Sequence, residues 1–345
     1  MYICSAMTDN INKYTALERL YEGTDYENGR ELTFVTGEYG GTGMQSLLLE
    51  GVDFDLTFTP LKHLGRKAVL SAIGGLYAQL CKPRGLSVVL GLSSKLSFDN
   101  VRELWSGMVS TAKEHGIKEL HLDMKPSLTG LAISLDAVGD RVMDFAPFAD
   151  MDLVCLSGNV GGAFFGQQVL LREKEVYSKA GNAAKQPDLT PYKNVVGNFL
   201  SPVMYTDVVD RFREFGVTPT GGVFLSVPLA NGVKELQGRS GFGVKIYTDR
   251  IPLDPGTGEA AEEFHMDAMT AALNGGDDYR FLFTVPIGQV DTLKKDFQDY
   301  DIIGHLARPE VGAVVVVSDG VELKLRAQGY ADEPDPGDDA PEMEV

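Results

Sequence analysis

Cysteine is almost absent from this sequence of 345 residues, which contains only Cys4, Cys81 and Cys155. The three are far apart and no two have C-x-x-C spacing, which excludes a cysteine-rich zinc site and argues against a disulfide framework. Cys81 and Cys155 lie in apolar segments, where we expect them to be small buried side chains.

Long apolar segments are missing as well. No run of about 18 consecutive apolar residues occurs, so the sequence predicts no transmembrane helix. The first residues lack a basic start and a complete apolar core, which makes them a poor signal peptide. We therefore expect a cytoplasmic protein without a membrane partner.

Basic residues are few relative to acidic ones. The chain has 31 Lys and Arg residues against 49 Asp and Glu residues, which gives a formal net charge of −18. Nucleic acids and anionic membrane surfaces both require clustered Lys and Arg, so neither is an expected partner. The negative charge does not exclude binding of a small phosphorylated ligand, because metal ions or backbone N–H groups can bind phosphate.

The sequence does contain enough apolar material for two cores. Hydrophobic residues make up 43% of the chain, and its length suits two domains of roughly 150 residues each. We expect an N-terminal arm or helix at 1–30, a domain at 31–145, a second domain at 146–330 and a tail at 331–345. The tail has seven acids, three prolines and no basic residue, which predicts disorder.

Apolar periodicity predicts a mixture of helices and strands. It predicts a long buried helix over 61–80, with Gly74-Gly75 in its middle, and an amphipathic helix over 98–115. The glycine-rich segment 37–43 lies between two strand patterns, which fits a hairpin better than a phosphate-binding loop. Further strands are expected at 86–92, 120–124, 130–139, 153–158, 223–227, 243–248, 281–285 and 313–318, helices at 163–171, 205–215 and 229–237, and a polar loop at 178–195.

The segment 271–286 is the most informative part of the sequence, because it reads as a helix end, a polar turn and a strand. Asn274-Gly275-Gly276 ends the helix, since glycine readily adopts the left-handed conformation of a helix C-terminus. Phe281, Phe283 and Val285 then alternate as in a half-buried strand.

The turn itself contains two carboxylates and an aromatic ring. Asp277, Asp278 and Tyr279 would suit a cation, a phosphate or an aromatic ligand, and we expect them to line a cleft. An ordinary turn, with Tyr279 packed in the core, is the alternative that these residues leave open.

These residues also resemble a known family. The segment 273–284, L-N-G-G-D-D-Y-R-F-L-F-T, is similar to G-G-E-D-Y-E-L-L-F-T of thiamine-monophosphate kinases, which belong to the aminoimidazole-ribonucleotide synthetase superfamily. Four further segments resemble motifs of that family in the same order: E-G-V-D-F at 50–54, L-G-R-K-A-V at 64–69, L-S-G-N-V-G-G at 156–162 and S-G-F-G-V-K-I at 240–246.

The resemblance implies an α/β (α+β) protein with the two-domain aminoimidazole-ribonucleotide synthetase-like fold. An N-terminal sheet domain would precede a C-terminal α/β sandwich domain, and the N-terminal sheets would form a homodimer with the ligand cleft near the interface. ATP and Mg²⁺ are the implied cofactors. The candidate ligand-binding residues are Asn274, Gly275, Gly276, Asp277, Asp278, Tyr279 and Lys67.

The chain differs from the family at the acids implied to bind Mg²⁺, a hard ion that prefers carboxylate oxygens. The corresponding residues here are Ser46, Gly74-Gly75, Gly161-Gly162 and Val227-Pro228. The remaining candidate metal ligands are Glu38, Asp53 and Asp123.

Two functions therefore follow from the resemblance. One is a thiamine-monophosphate kinase-like protein with a degenerate catalytic apparatus, in which no catalytic residue is assigned. The other is a non-catalytic ligand-binding or regulatory relative. The kinase function would be retained if the remaining acids converged into a new metal site, namely Glu38, Asp53, Asp123, Asp277 and Asp278.

Overall fold

The computed structural model describes residues 32–34, 40–180 and 186–330. The expected arm at 1–30, the candidate ligand Glu38 and the acidic tail at 331–345 lie outside these residues. Within the described part of the chain, no helix is both long and apolar enough to span a bilayer.

A five-stranded sheet forms the first half of the protein. Its strands are β1 (Leu32–Phe34), β2 (Gly41–Leu49), β3 (Cys81–Leu92), β4 (Glu119–Pro126) and β5 (Ala132–Arg141), in the order β1-β2-β5-β3-β4. Only β3 and β4 run parallel, whereas the other neighbours are antiparallel. The antiparallel β1–β2 pair confirms the predicted hairpin.

Two helices, α1 (Leu61–Ala78) and α2 (Phe98–Glu114), accompany this sheet. They cross closely because glycine occupies both contact points. A Cβ at Gly65 would lie 2.2 Å from the Leu104 carbonyl oxygen, and one at Gly107 would lie 2.1 Å from that of Lys62. The start of α2 is fixed by a capping box between Ser97 and Asn100.

A seven-stranded sheet forms the second half, and its first strand begins 12 residues after the last strand of the first sheet ends. The strand order is β12-β11-β8-β10-β6-β9-β7. The strands are β6 (Leu153–Ser157), β7 (Gly221–Leu225), β8 (Gly243–Tyr247), β9 (Arg280–Val285), β10 (Tyr300–Ala307), β11 (Ala313–Val316) and β12 (Glu322–Lys324).

The helices of this half are α3 (Gly162–Ala180), α4 (Lys193–Leu200), α5 (Val208–Glu214), α6 (Leu229–Ser240), α7 (Thr257–Glu263), α8 (Ala268–Asn274) and α9 (Val290–Asp296). The polar loop predicted at 178–195 was wrong at both ends, because α3 continues to Ala180 and α4 begins at Lys193. The end of α3 is polar because it is exposed, and pairs such as Glu175–Lys179 stabilise it.

Strand β10 and helices α7 and α9 were not predicted from the sequence. In β10, Gly304 and His305 interrupt the apolar pattern, and the pairing with β6 shifts register between Ile302 and Gly304. Helices α7 (T-G-E-A-A-E-E) and α9 (V-D-T-L-K-K-D) contain too few apolar residues to show a helical period.

One apolar core joins the two sheets, and α1 lies between them. The core contains Leu70, Ile73 and Tyr77 of α1 together with Phe281 and Phe283 of β9. The helix therefore packs on both halves of the protein at once.

The glycine pair in the middle of α1 makes this double contact sterically feasible. A Cβ at Gly74 would lie 2.3 Å from the Phe224 ring of β7, and one at Gly75 would lie 2.1 Å from the Met44 methyl group of β2. Each glycine thus accommodates a side chain from a different sheet.

Replacing Gly74 should therefore destabilise the protein even though alanine favours helices. We expect Gly74→Ala to lower the free energy of unfolding by about 1–3 kcal/mol, because the methyl group overpacks the Phe224 contact. Gly238→Ala in α6 is the matched control, since nothing lies within 4 Å of its Cβ position, and it should add about 0.5–1 kcal/mol. Urea denaturation measures both, and equal effects would contradict the packing argument.

Candidate functional site

The turn between α8 and β9 has an unusual backbone. Its residues Gly276, Asp277 and Tyr279 have φ angles of +81°, +64° and +54°. The left-handed conformation is ordinary for glycine but costs other residues roughly 1–2 kcal/mol each. Surrounding contacts must therefore hold Asp277 and Tyr279 in place. The sequence predicted a left-handed glycine here, but it did not predict the left-handed conformations of Asp277 and Tyr279.

Tyr279 is fixed by the core rather than placed on the wall of an open cleft. It is only 3% exposed, and its ring meets Phe224 edge-on at 5.6 Å. Its backbone N–H donates to the Leu225 carbonyl at 2.9 Å, and its hydroxyl donates to the Lys67 carbonyl at 3.4 Å. This placement favours the packing role that the sequence left open for Tyr279.

Asp277 is held by Lys67, a buried lysine of α1. The Lys67 ammonium donates to an Asp277 carboxylate oxygen at 3.1 Å. It also lies 4.1 Å from the centre of the Phe199 ring, which adds a cation–π attraction. The Lys67 side chain is 5% exposed, whereas that of Asp277 is 33% exposed. Of these two groups, the carboxylate is the one that a ligand can reach.

Asp278 points the other way, to the start of α3. It is buried, and its carboxyl group accepts a hydrogen bond from the Gly161 N–H at 3.0 Å. Asp254, in the segment before α7, is also buried and accepts from the Gly162 N–H at 3.0 Å. Two carboxyl groups thus lie at the helix N-terminus, where the exposed N–H groups and the helix dipole favour negative charge.

The two carboxyl groups affect each other. Burial, together with the negative charge of Asp254, raises the pKa of Asp278 to about 8. Burial also raises the pKa of Asp254, although the positive charge of Arg280 opposes this shift. Like charges this close and this buried cannot both ionise easily at neutral pH.

Two of the three candidate metal ligands, Asp53 and Asp123, lie within the described residues. Asp53 accepts a hydrogen bond from the Leu49 N–H at 2.7 Å, and exposed Asp123 lies on β4 opposite Val89. Glu38 is outside the described residues. Among the residues that the structure describes, no group of three or more Asp, Glu, His or Cys side chains is arranged to hold a metal ion.

At Ser46, Gly74-Gly75 and Gly162, which the resemblance assigns to acids of the family, neighbouring side chains pack closely or form internal hydrogen bonds. Phe224 and Met44 fill the space beside Gly74-Gly75, and the Ser46 hydroxyl lies 2.8 Å from that of Ser71. A Cβ at Gly162 would lie 2.6 Å from an Asp254 carboxylate oxygen. The residues present at these positions therefore do not fit a cluster of Mg²⁺ ions.

Sequence reasoning missed Asp254 and Phe199. Asp254 stands between two prolines with no helical or strand periodicity around it, and Phe199 reads as an ordinary apolar residue. Both join the site only through the tertiary fold, across more than 20 residues of sequence in each case.

The two sheets and their helices define the class of protein. The structure resembles that of AaThiL complexed with AMPPCP and TMP, with a TM-score of 0.77 and 20% identity, over 90% of this chain and 94% of that one. The protein thus has the two-domain aminoimidazole-ribonucleotide synthetase-like fold that the sequence predicted.

Sequence similarity to individual proteins also extends over most of the chain. No family model matches the chain. It is 24% identical to the thiamine-monophosphate kinase of Aquifex aeolicus over 241 residues, 70% of this chain and 74% of that protein. It is 20% identical to the Bacillus subtilis enzyme of the same name over 332 residues, 93% of this chain and 98% of that protein. The chain is therefore similar to thiamine-monophosphate kinases over most of its length.

The Asp254–Asp278 pair predicts a specific pH dependence. The pKa of Asp278 in the folded protein, about 8, is above its unfolded value of about 3.9. Folding thus favours the protonated group, and its contribution to stability is lost as the pH rises between these two values. We expect Asp278→Asn, which keeps an acceptor for the Gly161 N–H, to become more stable relative to the unmodified protein as the pH rises from 5 to 8.

The control for this comparison is Asp267→Asn. Hydrogen bonds from the Thr270 backbone and side chain lower the pKa of Asp267, so its titration affects stability only at more acidic pH. Urea denaturation across pH 5–8 should show a pH-dependent difference for Asp278→Asn alone. A constant difference for both variants would mean that Asp278 is ionised throughout this range.

Proposed function

We propose that this protein binds a phosphorylated small molecule related to thiamine monophosphate, as a thiamine-monophosphate kinase-like protein. The observation that carries the proposal is the strained turn at 275–279. Two residues other than glycine are held there in left-handed conformations, and such strain is concentrated at binding and catalytic sites. The segment also resembles the family motif G-G-E-D-Y-E-L-L-F-T.

Within this turn, Asp277 is the residue that we assign to ligand contact. Its carboxylate is partly exposed and its position is fixed by the buried Lys67 ammonium. A carboxylate so placed attracts a cationic group, such as the thiazolium ring of thiamine monophosphate. Tyr279 and Lys67 act here by positioning Asp277.

ATP as a second ligand follows from the relatives, one of which has been solved with AMPPCP and TMP. Phosphoryl transfer depends on positioned charges that stabilise the transition state. The residues at the positions that the resemblance assigns to the family's metal ligands do not fit Mg²⁺. A kinase activity of this protein would have to use other groups.

A non-catalytic binding protein is the second candidate. The contact between Gly74 and Phe224 favours it, because an aromatic ring fills space beside the position that corresponds to family acids. The two candidates share ligand binding and differ in turnover, which makes them separable by experiment.

Calorimetric titration of the full-length protein tests ligand binding, which both candidate functions require. Thiamine monophosphate and ATP are titrated in Mg²⁺ and in EDTA, separately and together, and product formation is then assayed. We expect thiamine monophosphate to bind to the unmodified protein. The variant Asp277→Asn should bind it about three- to tenfold more weakly, which is a loss of up to about 1.4 kcal/mol of binding free energy. Asparagine tolerates the left-handed conformation, so the turn should persist.

Asp188→Asn is the control, because Asp188 is an exposed acid outside the turn at 275–279, and its carboxylate accepts from the Thr190 N–H. It should bind like the unmodified protein. Product formation would identify a kinase, and binding without turnover would identify the non-catalytic relative. Absence of binding by every phosphorylated ligand would overturn the proposal.

We also propose a homodimer formed by the outer face of the first sheet. Leu47 and Leu49 of β2 are 58% and 38% exposed on this face, and Val89 of β3 lies in the same row as Leu47. Light scattering at micromolar concentration should give twice the monomer mass. Leu47→Asp should shift the protein to monomer, whereas Leu171→Asp, at an exposed leucine of α3, should not. A monomeric unmodified protein would contradict the proposal.

A further inference from the structure

A cavity of about 640 Å³ lies at the carboxyl ends of the parallel strands β3 and β4, and its lining includes no residue of the turn at 275–279. Ligand cavities commonly have this size, and the carboxyl ends of parallel strands are a common place for them. The lining residues are Glu50, Leu92, Ser93, Ser94, Lys95, Met124, Lys125, Pro126, Ser127, Leu128, Thr129 and Gly130.

The loops around the cavity are held by specific hydrogen bonds. The Ser127 N–H donates to the Leu92 carbonyl at 2.8 Å and joins the ends of the two strands. A Glu50 carboxylate oxygen accepts from the Leu131 N–H at 2.7 Å. Gly130 has a φ of +124°, and a Cβ there would lie 2.8 Å from the same carboxylate oxygen. The glycine therefore allows Glu50 to fix the loop.

Two lysines give the cavity its charge. Among the described residues, none forms an ion pair with Lys95 or Lys125, although the chain has 49 acids against 31 bases. The one carboxylate in the lining, Glu50, is already bonded to the Leu131 N–H. The two ammonium groups are therefore available to an anion.

The other lining groups indicate what kind of anion fits. Hydroxyl groups come from Ser93, Ser94, Ser127 and Thr129. Ammonium and hydroxyl donors together are suited to the several acceptor oxygens of a phosphate group. Leu92 and Met124 supply an apolar wall for the uncharged part of the same molecule.

We propose that this cavity binds the phosphate groups of a small phosphorylated molecule directly through Lys95 and Lys125, without a metal ion. The inference rests on the proposed function, which already includes a phosphorylated ligand, and it assigns that ligand's phosphates to this cavity rather than to residues of the strained turn. The two lysine ammonium groups neutralise the phosphate charge directly, as Mg²⁺ bound to carboxylates would.

The test is calorimetric titration of the full-length protein with inorganic pyrophosphate and with ATP, both in EDTA. The double variant Lys95→Ala/Lys125→Ala removes the two charges of the cavity. Lys113→Ala/Lys118→Ala is the matched control, because it removes two exposed lysines of the same half of the protein and changes the net charge equally. All four lysines are exposed, so both variants should fold.

We expect the unmodified protein to bind pyrophosphate and ATP without metal. The cavity variant should bind at least tenfold more weakly, and the control variant should stay within twofold. Equal losses of affinity in the two variants, or no loss in either, would overturn the inference. If thiamine monophosphate still binds in that case, the proposed function stands. Absence of binding by every phosphorylated ligand, thiamine monophosphate included, would overturn both.

Discussion

The packing of α1 between the two sheets is the constraint on which the rest of the structure depends. A helix that contacts both halves needs small residues wherever a side chain of either sheet approaches. Gly74 and Gly75 meet this requirement on two faces, toward Phe224 and Met44. The same helix carries Lys67, whose ammonium group reaches the turn before β9. The geometry of the candidate site is thus set by how the two sheets pack on one helix.

This dependence explains how the strained turn persists. Two left-handed residues other than glycine cost energy, which local sequence alone would avoid. The Tyr279 ring is buried beside Phe224, and its N–H completes the end of β7 at Leu225. Burial of such a ring contributes about 1.5–3 kcal/mol, which is enough to offset its own backbone strain. A change that loosens α1 would therefore alter the turn without touching it.

Local patterns predicted the positions of α1 and β9 well, although β9 is buried on both faces and not half-buried as its alternation indicated. The alternation of Phe281, Phe283 and Val285 and the apolar period of α1 correspond to the observed strand and helix. The left-handed conformations of Asp277 and Tyr279 could not be predicted, because they result from contacts with distant residues. Asp254 joins Asp278 only because the Gly161 and Gly162 N–H groups at the start of α3 bind both.

The charge of the chain limits how it can bind a phosphorylated molecule. A formal net charge of −18 repels such a ligand at a distance. Salt screens this repulsion beyond about 8 Å at physiological ionic strength, so attraction has to come from groups in direct contact. Carboxylates can supply it only through bound cations, whereas Lys95 and Lys125 supply it themselves. Binding by lysines at short range is therefore compatible with an acidic protein in which the family's metal positions hold glycine, serine and apolar side chains.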